Sequence, residues 1–214
     1  MKKLLFLLIL FTTGFNLAYA SKIAVYSIPL TRVEMLQTDS INNSDPIKIL
    51  ESDADGHIRS QYEDSLIQII WKCDGIRFRF VLLNKTNFPL TIDWDRIMYV
   101  DTEGEAGNII HNGVKYNERN NGQLKTIVPK LAKLNDFLVP SKNCVFRNGG
   151  YFSVGGWAEN YLFPCVYKKA KDLKNNAPNL IGKTMRIEMP INIDGVEYIY
   201  TFYFELSDLA EGRN

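Results

Sequence analysis

The sequence predicts an all-β protein, an antiparallel β-sandwich with an immunoglobulin-like arrangement as one option. Three observations carry this. Two stretches alternate apolar and polar residues on either side of an Asp-Gly dipeptide, at Asp74-Gly75 and Asp194-Gly195. Short segments rich in Ile, Val, Tyr and Phe lie between them, each closed by Gly, Pro, Asn or Asp. Amphipathic helical periodicity is almost absent. Two long hairpins with one apolar face each must have those faces covered, and packing one on the other does so.

Residues 1–20 read as a Sec-type signal peptide. Lys2 and Lys3 are its basic region, Leu4 to Phe11 its apolar run, and Ala18-Tyr19-Ala20 a small-residue cleavage site. That run is shorter than the roughly 20 residues a membrane-spanning helix needs, and no later stretch approaches it, so no transmembrane segment is expected in the mature chain. The remaining charges nearly balance against the 24 acidic residues, which argues against a nucleic-acid partner. With 46% apolar residues the chain can bury a core without disulfides.

In order, residues 21–61 are expected to hold one strand, KIAVYSI, ended by Pro29, then a polar irregular extension with one strand at Ile47–Leu50. The sandwich domain is placed at 62–206. Asp74-Gly75 in a two-residue turn pairs Cys73 with Ile76, Trp71 with Phe78, Ile69 with Phe80 and Ile67 with Leu82. Asn84–Pro89 is turn chemistry, followed by strands at Leu90–Trp94 and Ile97–Val100 and a turn at Asp101–Gly104. Asn112-Gly113 signals a further hairpin between Asn108–His111 and Val114–Tyr116. Thr126–Val128 and Phe137–Val139 are short strands. Residues 141–183 form a long Gly- and aromatic-rich insertion, with helical turns expected at Ala158–Phe163 and Lys168–Asn176. Asp194-Gly195 pairs Ile193 with Val196, Ile191 with Tyr198, Met189 with Tyr200, Ile187 with Phe202 and Met185 with Phe204. Residues 207–214 read as a polar tail.

Motifs for chemistry are weak. Glu51, Asp53, Asp55, Gly56 and Ile58 match part of a calcium loop, but Tyr62 stands where its bidentate Glu belongs. Ala177–Thr184 resembles a phosphate loop only formally, because a hairpin rather than a helix follows. His57 and His111 belong to no metal-ligand spacing, and no cofactor is expected. No nucleophile elbow occurs. Among acidic residues, Asp93, Asp95, Asp101 and Glu103 could furnish a carboxylate pair, although such residues at strand ends usually form turns. The aromatic insertion, with Phe146, Tyr151, Phe152 and Trp157, could stack on a sugar ring or a peptide; the favoured alternative is a loop folded over an open core with its rings buried.

Of three cysteines, Cys73 falls on the apolar face of the first hairpin, and Cys144 with Cys165 is a candidate disulfide in an oxidising compartment. The run YEDSLIQIIW…GIRFRFVLLNKTNFPLTIDWDRIMYVDTEGEAGNIIHNGVKY, followed by Gln123, TIVP and the Pro140 segment, resembles a group of uncharacterised bacterial envelope proteins, many of them lipoproteins. The similarity covers about residues 62–140. It implies an exported β-sandwich and no particular activity. The lipid-acceptor cysteine of the anchored members is missing, which implies a soluble periplasmic or secreted form.

The expectation is therefore a non-enzymatic β-sandwich of the cell envelope that binds a protein or glycan partner, with Tyr151, Phe152, Trp157 and His111 as candidate binding residues. Two alternatives are a hydrolase-type envelope enzyme using Asp93, Asp101 and His111, and an assembly subunit pairing through edge strands.

Overall fold

A computed structural model describes residues 21–37, 40–43, 48–50, 57–150 and 154–212. Its strands are β1 (Lys22–Ser27), β2 (Leu30–Gln37), β3 (Ser40–Asn43), β4 (Lys48–Leu50), β5 (Arg59–Glu63), β6 (Ile67–Cys73), β7 (Phe78–Asn84), β8 (Leu90–Ile92) and β9 (Met98–Val100). There follow β10 (Ala106–His111), β11 (Thr126–Val128), β12 (Lys133–Pro140), β13 (Cys144–Arg147), β14 (Gly156–Glu159) and β15 (Val166–Tyr167), then one helix, α1 (Ala170–Asn176). The chain continues with β16 (Thr184–Ile193), β17 (Val196–Glu205) and β18 (Ser207–Gly212). Among the described residues no helix is long and apolar enough to cross a membrane.

The expected all-β antiparallel, sandwich-like fold is present as a large curled sheet, with two small sheets, β15-β1-β18 and β13-β14, beside it. The order of the large sheet is β3-β2-β17-β16-β9-β10-β12-β7-β6-β5-β4. The curl turns at β10, whose first half (Ala106–Asn108) pairs with β9 and whose second half (Ile109–His111) pairs with β12. One strand thus serves both layers, and the layers close on each other's apolar faces.

That closure brings the two Asp-Gly hairpins together. Trp71 lies 5.1 Å from the Phe202 ring and 5.5 Å from Phe204, while Phe78 meets Phe204 at 4.9 Å. Tyr62 of β5 extends the contact to Tyr200 and Phe202. All six side chains are buried. Offset and edge-on ring pairs of this kind add about 0.5–1.5 kcal/mol each to the burial of their area.

The two turns differ. Asp194 (φ 52°) and Gly195 (φ 81°) both lie in the left-handed region, as a two-residue turn of primed type requires, and β16–β17 has the expected register throughout. At the first hairpin only Gly75 has positive φ (81°). Asp74 instead accepts hydrogen bonds at Oδ1 from the Ile76 and Arg77 amides (3.0 and 2.7 Å), and its own amide donates to the Arg77 carbonyl. The loop therefore has four residues, and the expected register is corrected by two: Cys73 faces Phe78, Trp71 faces Phe80, Ile69 faces Leu82 and Ile67 faces Asn84. A slip of two leaves every side chain on its face. The wider tip is gripped from outside, because the Leu162 amide donates to the Gly75 carbonyl.

Segment 21–61 departs most from expectation. β2 is an eight-residue strand paired along β17, and β5 pairs with β6. Alternation fails in β2 because its register shifts beside Tyr203/Phe204, so buried Leu30 and Val33 stand three apart instead of two or four. Of the expected polar tail, Ser207–Gly212 is instead a strand that pairs antiparallel with β1. Asn112-Gly113 turns the chain without making a hairpin; a 3₁₀ turn, Tyr116–Glu118, follows, and His111 pairs across to Leu138. Residues 158–163 likewise lack a helical turn, because β14 runs to Glu159, whereas α1 falls within the second expected helical segment. Buried Pro190 sits in β16 between Glu188, paired with β9, and Ile191, paired with β8, where the neighbouring ladder is interrupted by a 3₁₀ turn at Trp94–Arg96.

Asp74→Ala should lower the unfolding free energy by about 1–2 kcal/mol, since two amides lose their acceptor. Asp194→Asn should change it by less than about 0.5 kcal/mol, because Asn also tolerates the left-handed conformation. Urea unfolding followed by circular dichroism compares them, and equal losses would contradict the distinction between the turns.

Candidate functional site

The aromatic insertion forms a hairpin, β13–β14, in which Phe146 faces Trp157 and Cys144 faces Glu159. Its rings do not cover an open core. Phe146 is 56% and Trp157 37% exposed, and they meet edge-on at 5.6 Å. The favoured expectation of buried rings is corrected for these two. Tyr151 and Phe152 lie outside the described residues, as do Glu51, Asp53, Asp55 and Gly56 of the calcium-like run.

Glu159 fixes this hairpin to the sandwich. Its carboxylate accepts from Arg77 Nε at 2.6 Å and from the Tyr116 hydroxyl. Arg77 also lies over the Phe137 ring at 4.4 Å. The bond to Glu159 raises the Arg77 pKa further, while burial and then the same carboxylate push the Tyr116 phenol up to about 12. Arg119 completes the face: its guanidinium sits 4.8 Å from the Trp157 ring centroid, and its Nη1 donates to the Tyr116 carbonyl at 3.1 Å. The result is an exposed Trp–Phe pair edged by arginine and held from beneath by a charged hydrogen-bonded pair.

His111 is elsewhere employed. Its ring stacks on buried Trp94 (4.0 Å, 6° between planes), and Nδ1 lies 3.1 Å from Asp136 Oδ2. Asp136 Oδ1 accepts from the amides of Asn112 and Phe137, and Trp94 Nε1 donates to Thr126. These bonds satisfy buried polar atoms at the end of β10. The side chain borders a cleft of about 410 Å³ that also includes Thr126 and Lys125.

The three residues considered for hydrolysis border three different depressions. Asp93 pairs with Lys125 at 2.8 Å in a second depression. Asp101 lies in a third, at its turn: Oδ1 accepts from the Glu103 and Glu105 amides at 3.0 Å each, and Oδ2 pairs with Lys142. Burial raises the Asp101 pKa, but Lys142 and the two amides outweigh it and hold the carboxyl below its usual range. Asn84, which carries part of the sequence resemblance, is fully buried. Its Nδ2 reaches the carbonyls of Phe88, Val128 and Pro129, and its Oδ1 accepts from Thr86.

Cys144 and Cys165 do not form the candidate disulfide. Both are free and buried, Cys144 in a small cluster with Ile110 and Val139, Cys165 in the main core. Burial pushes the Cys144 thiol up to about 11 and Cys165 to about 12, and raises Cys73 as well. The formal phosphate-loop segment is a 3₁₀ turn, Ala177–Leu180, leading into β16, which leaves no helix amides to receive phosphate.

Sequence reading singled out Trp157 and Phe146 but missed Arg77, Tyr116, Arg119 and Glu159. Arg77 and Glu159 are 82 positions apart, and no local spacing announces such a pair. No family model, curated protein or solved structure matches the chain.

Asp101→Asn should lower the melting temperature at neutral pH. Because the folded-state pKa is depressed, the wild-type advantage is complete above the unfolded carboxylate value of about 4 and disappears as pH falls through the folded value. Melting curves of both proteins across acid pH test this, and a gap that persisted in strong acid would contradict it. Separately, an aromatic disulfide reagent should label no thiol of the folded protein at mildly alkaline pH and all three after denaturation.

Proposed function

We propose that this is an exported, non-enzymatic β-sandwich protein of the bacterial cell envelope that binds a protein or glycan partner through the Trp157 face. The observation that carries the reading is the exposure of Trp157 beside Phe146, with Arg119 against its ring. Burial is the ordinary fate of Trp and Phe, and an exposed aromatic pair on a rigid support is the usual anchor of a recognition surface. The Arg77–Glu159–Tyr116 bonds supply that rigidity, which limits the entropy lost when a partner settles on the rings. Export is supported by the charge and apolar pattern of residues 1–20. A binding role is favoured over hydrolysis because Asp93, Asp101 and His111 are engaged separately as turn or core residues.

The purified protein should bind saturably to isolated cell-wall glycan or to detergent-extracted envelope proteins in co-sedimentation or surface-binding assays. Trp157→Ala should weaken that binding by about tenfold or more, as loss of an anchoring aromatic does, with little change in melting temperature. Binding to neither fraction, or binding indifferent to Trp157→Ala, would overturn the proposal.

A further inference from the structure

The aromatic hairpin is a sheet to itself. Among the described residues β13 and β14 pair with each other and with no other strand, so each has an outer edge. One bond decides which backbone groups line those edges. The Asn160 amide donates to the Asn143 carbonyl at 2.8 Å, which makes Asn143/Asn160 a hydrogen-bonded pair of the antiparallel ladder. Such pairs alternate, so Val145/Ala158 and Arg147/Gly156 are also joined by hydrogen bonds, whereas Phe146/Trp157 and Cys144/Glu159 are not. The N–H and C=O groups of Trp157 and Glu159 therefore point out of the β14 edge, and no protein group among the described residues takes them up.

The two edges are not equivalent. On β13 the Cys144 amide is already bonded to the Ser141 carbonyl, and charged Arg147 stands exposed at the strand end. Open edges are ordinarily guarded by lysine, proline, a bulge or an added charge. β14, Gly156-Trp157-Ala158-Glu159, has no such guard: its register with β13 is unbroken, and its single charge, Glu159, is turned to Arg77 and Tyr116. What stands beside this edge is the exposed Trp157–Phe146 pair with Arg119 against the indole. Neither Arg119 nor Arg147 forms an ion pair among the described residues, while Glu159 is matched by Arg77, so the hairpin face carries uncompensated positive charge.

We infer that the partner is a protein offering an extended, acidic peptide segment, and that this segment adds to the sheet along the β14 edge. The inference rests on the binding role proposed above and assigns its chemistry and geometry. A peptide strand presents N–H and C=O on one side at every second residue, as Trp157 and Glu159 do, so the two backbones meet in register. Its side chains alternate between the faces of the sheet. One on the Trp157 face packs against the indole, and an Asp or Glu beside it accepts from the Arg119 guanidinium. A sugar chain can stack on Trp157 but has no two-residue repeat of donors and acceptors to match the strand edge.

Random peptides of about twelve residues, displayed on phage and selected on the purified protein, supply the probes. The selected sequences should be rich in Asp and Glu. In calorimetric titration Trp157→Ala should weaken the synthetic peptides by about tenfold or more. Arg119→Gln should weaken them several-fold and remove most of their sensitivity to salt. The readout peculiar to strand addition is an N-methyl scan of the peptide against the unaltered protein. Methylation should cost about tenfold at alternate amides, one hydrogen bond each, and little at those between. A scan without that alternation would overturn strand addition, and selected peptides free of acidic residues would overturn the acidic assignment. Saturable binding to cell-wall glycan with no peptide selected would overturn the protein partner while leaving the partner-binding role intact. Self-association in the ultracentrifuge that Trp157→Ala abolishes, with no peptide selected, would give the edge to a second copy and overturn the inference as well. Failure to bind either envelope fraction or any peptide would overturn both readings.

Discussion

The contact of Trp71 with Phe202 and Phe204 is the constraint on which the rest depends. It joins the inner faces of two hairpins that are more than a hundred residues apart in sequence, and each hairpin alone would present a row of large apolar side chains to water. A two-stranded ribbon is marginal by itself. Packed together, the hairpins exclude water from both rows, and the strands between them need only complete the enclosure. The short strands β8, β9 and β11 follow from this: β8 and β9 lie along the edge already fixed by β16, and β11 adds to β8, so three residues each suffice.

The polar residues inside this frame act as joints. Asn84 binds three carbonyls from two loops, and Asp136 binds two backbone amides and His111. Asp64 receives the Leu66 and Ile67 amides and the hydroxyls of Tyr62 and Tyr200. Each could be taken from sequence for a catalytic group. Each is instead an acceptor or donor placed where the backbone leaves the ladder and would otherwise be buried unpaired. This explains why acidic residues at strand ends are poor guides to chemistry here, and why the aromatic hairpin, with its rings turned outward, is the better one.

Much of this was legible beforehand. The alternation around Asp194-Gly195 gives the correct register because both turn residues can adopt positive φ and no outside group intervenes. The same dipeptide at 74–75 misleads by two residues, because Asp74 bonds forward to two amides and the 162 amide grips Gly75. Those bonds are tertiary or conformational, and a two-letter turn signal does not contain them. β2 was obscured by its register shift, which broke the alternation on which strand recognition relies. Trp157 and Phe146 were visible as residues, but their exposure depends on the anchoring of Glu159 by Arg77 and Tyr116 from distant parts of the chain.

The pairing of β1 with β18 and of β2 with β17 has a consequence for how the molecule comes to exist. A ribosome makes β1 and β2 long before residues 196–212, which pair with both. Until those residues emerge β2 has β3 beside it but not β17, and β1 lacks β18, and contacts so distant along the chain form slowly. The polar residues Thr31, Arg32 and Glu34 in β2, and the proline that separates it from β1, then act as guards: they discourage a waiting strand from annealing to the wrong edge. A chain interrupted shortly before Val196 would carry nearly all of its core residues and still lack the strand that closes them.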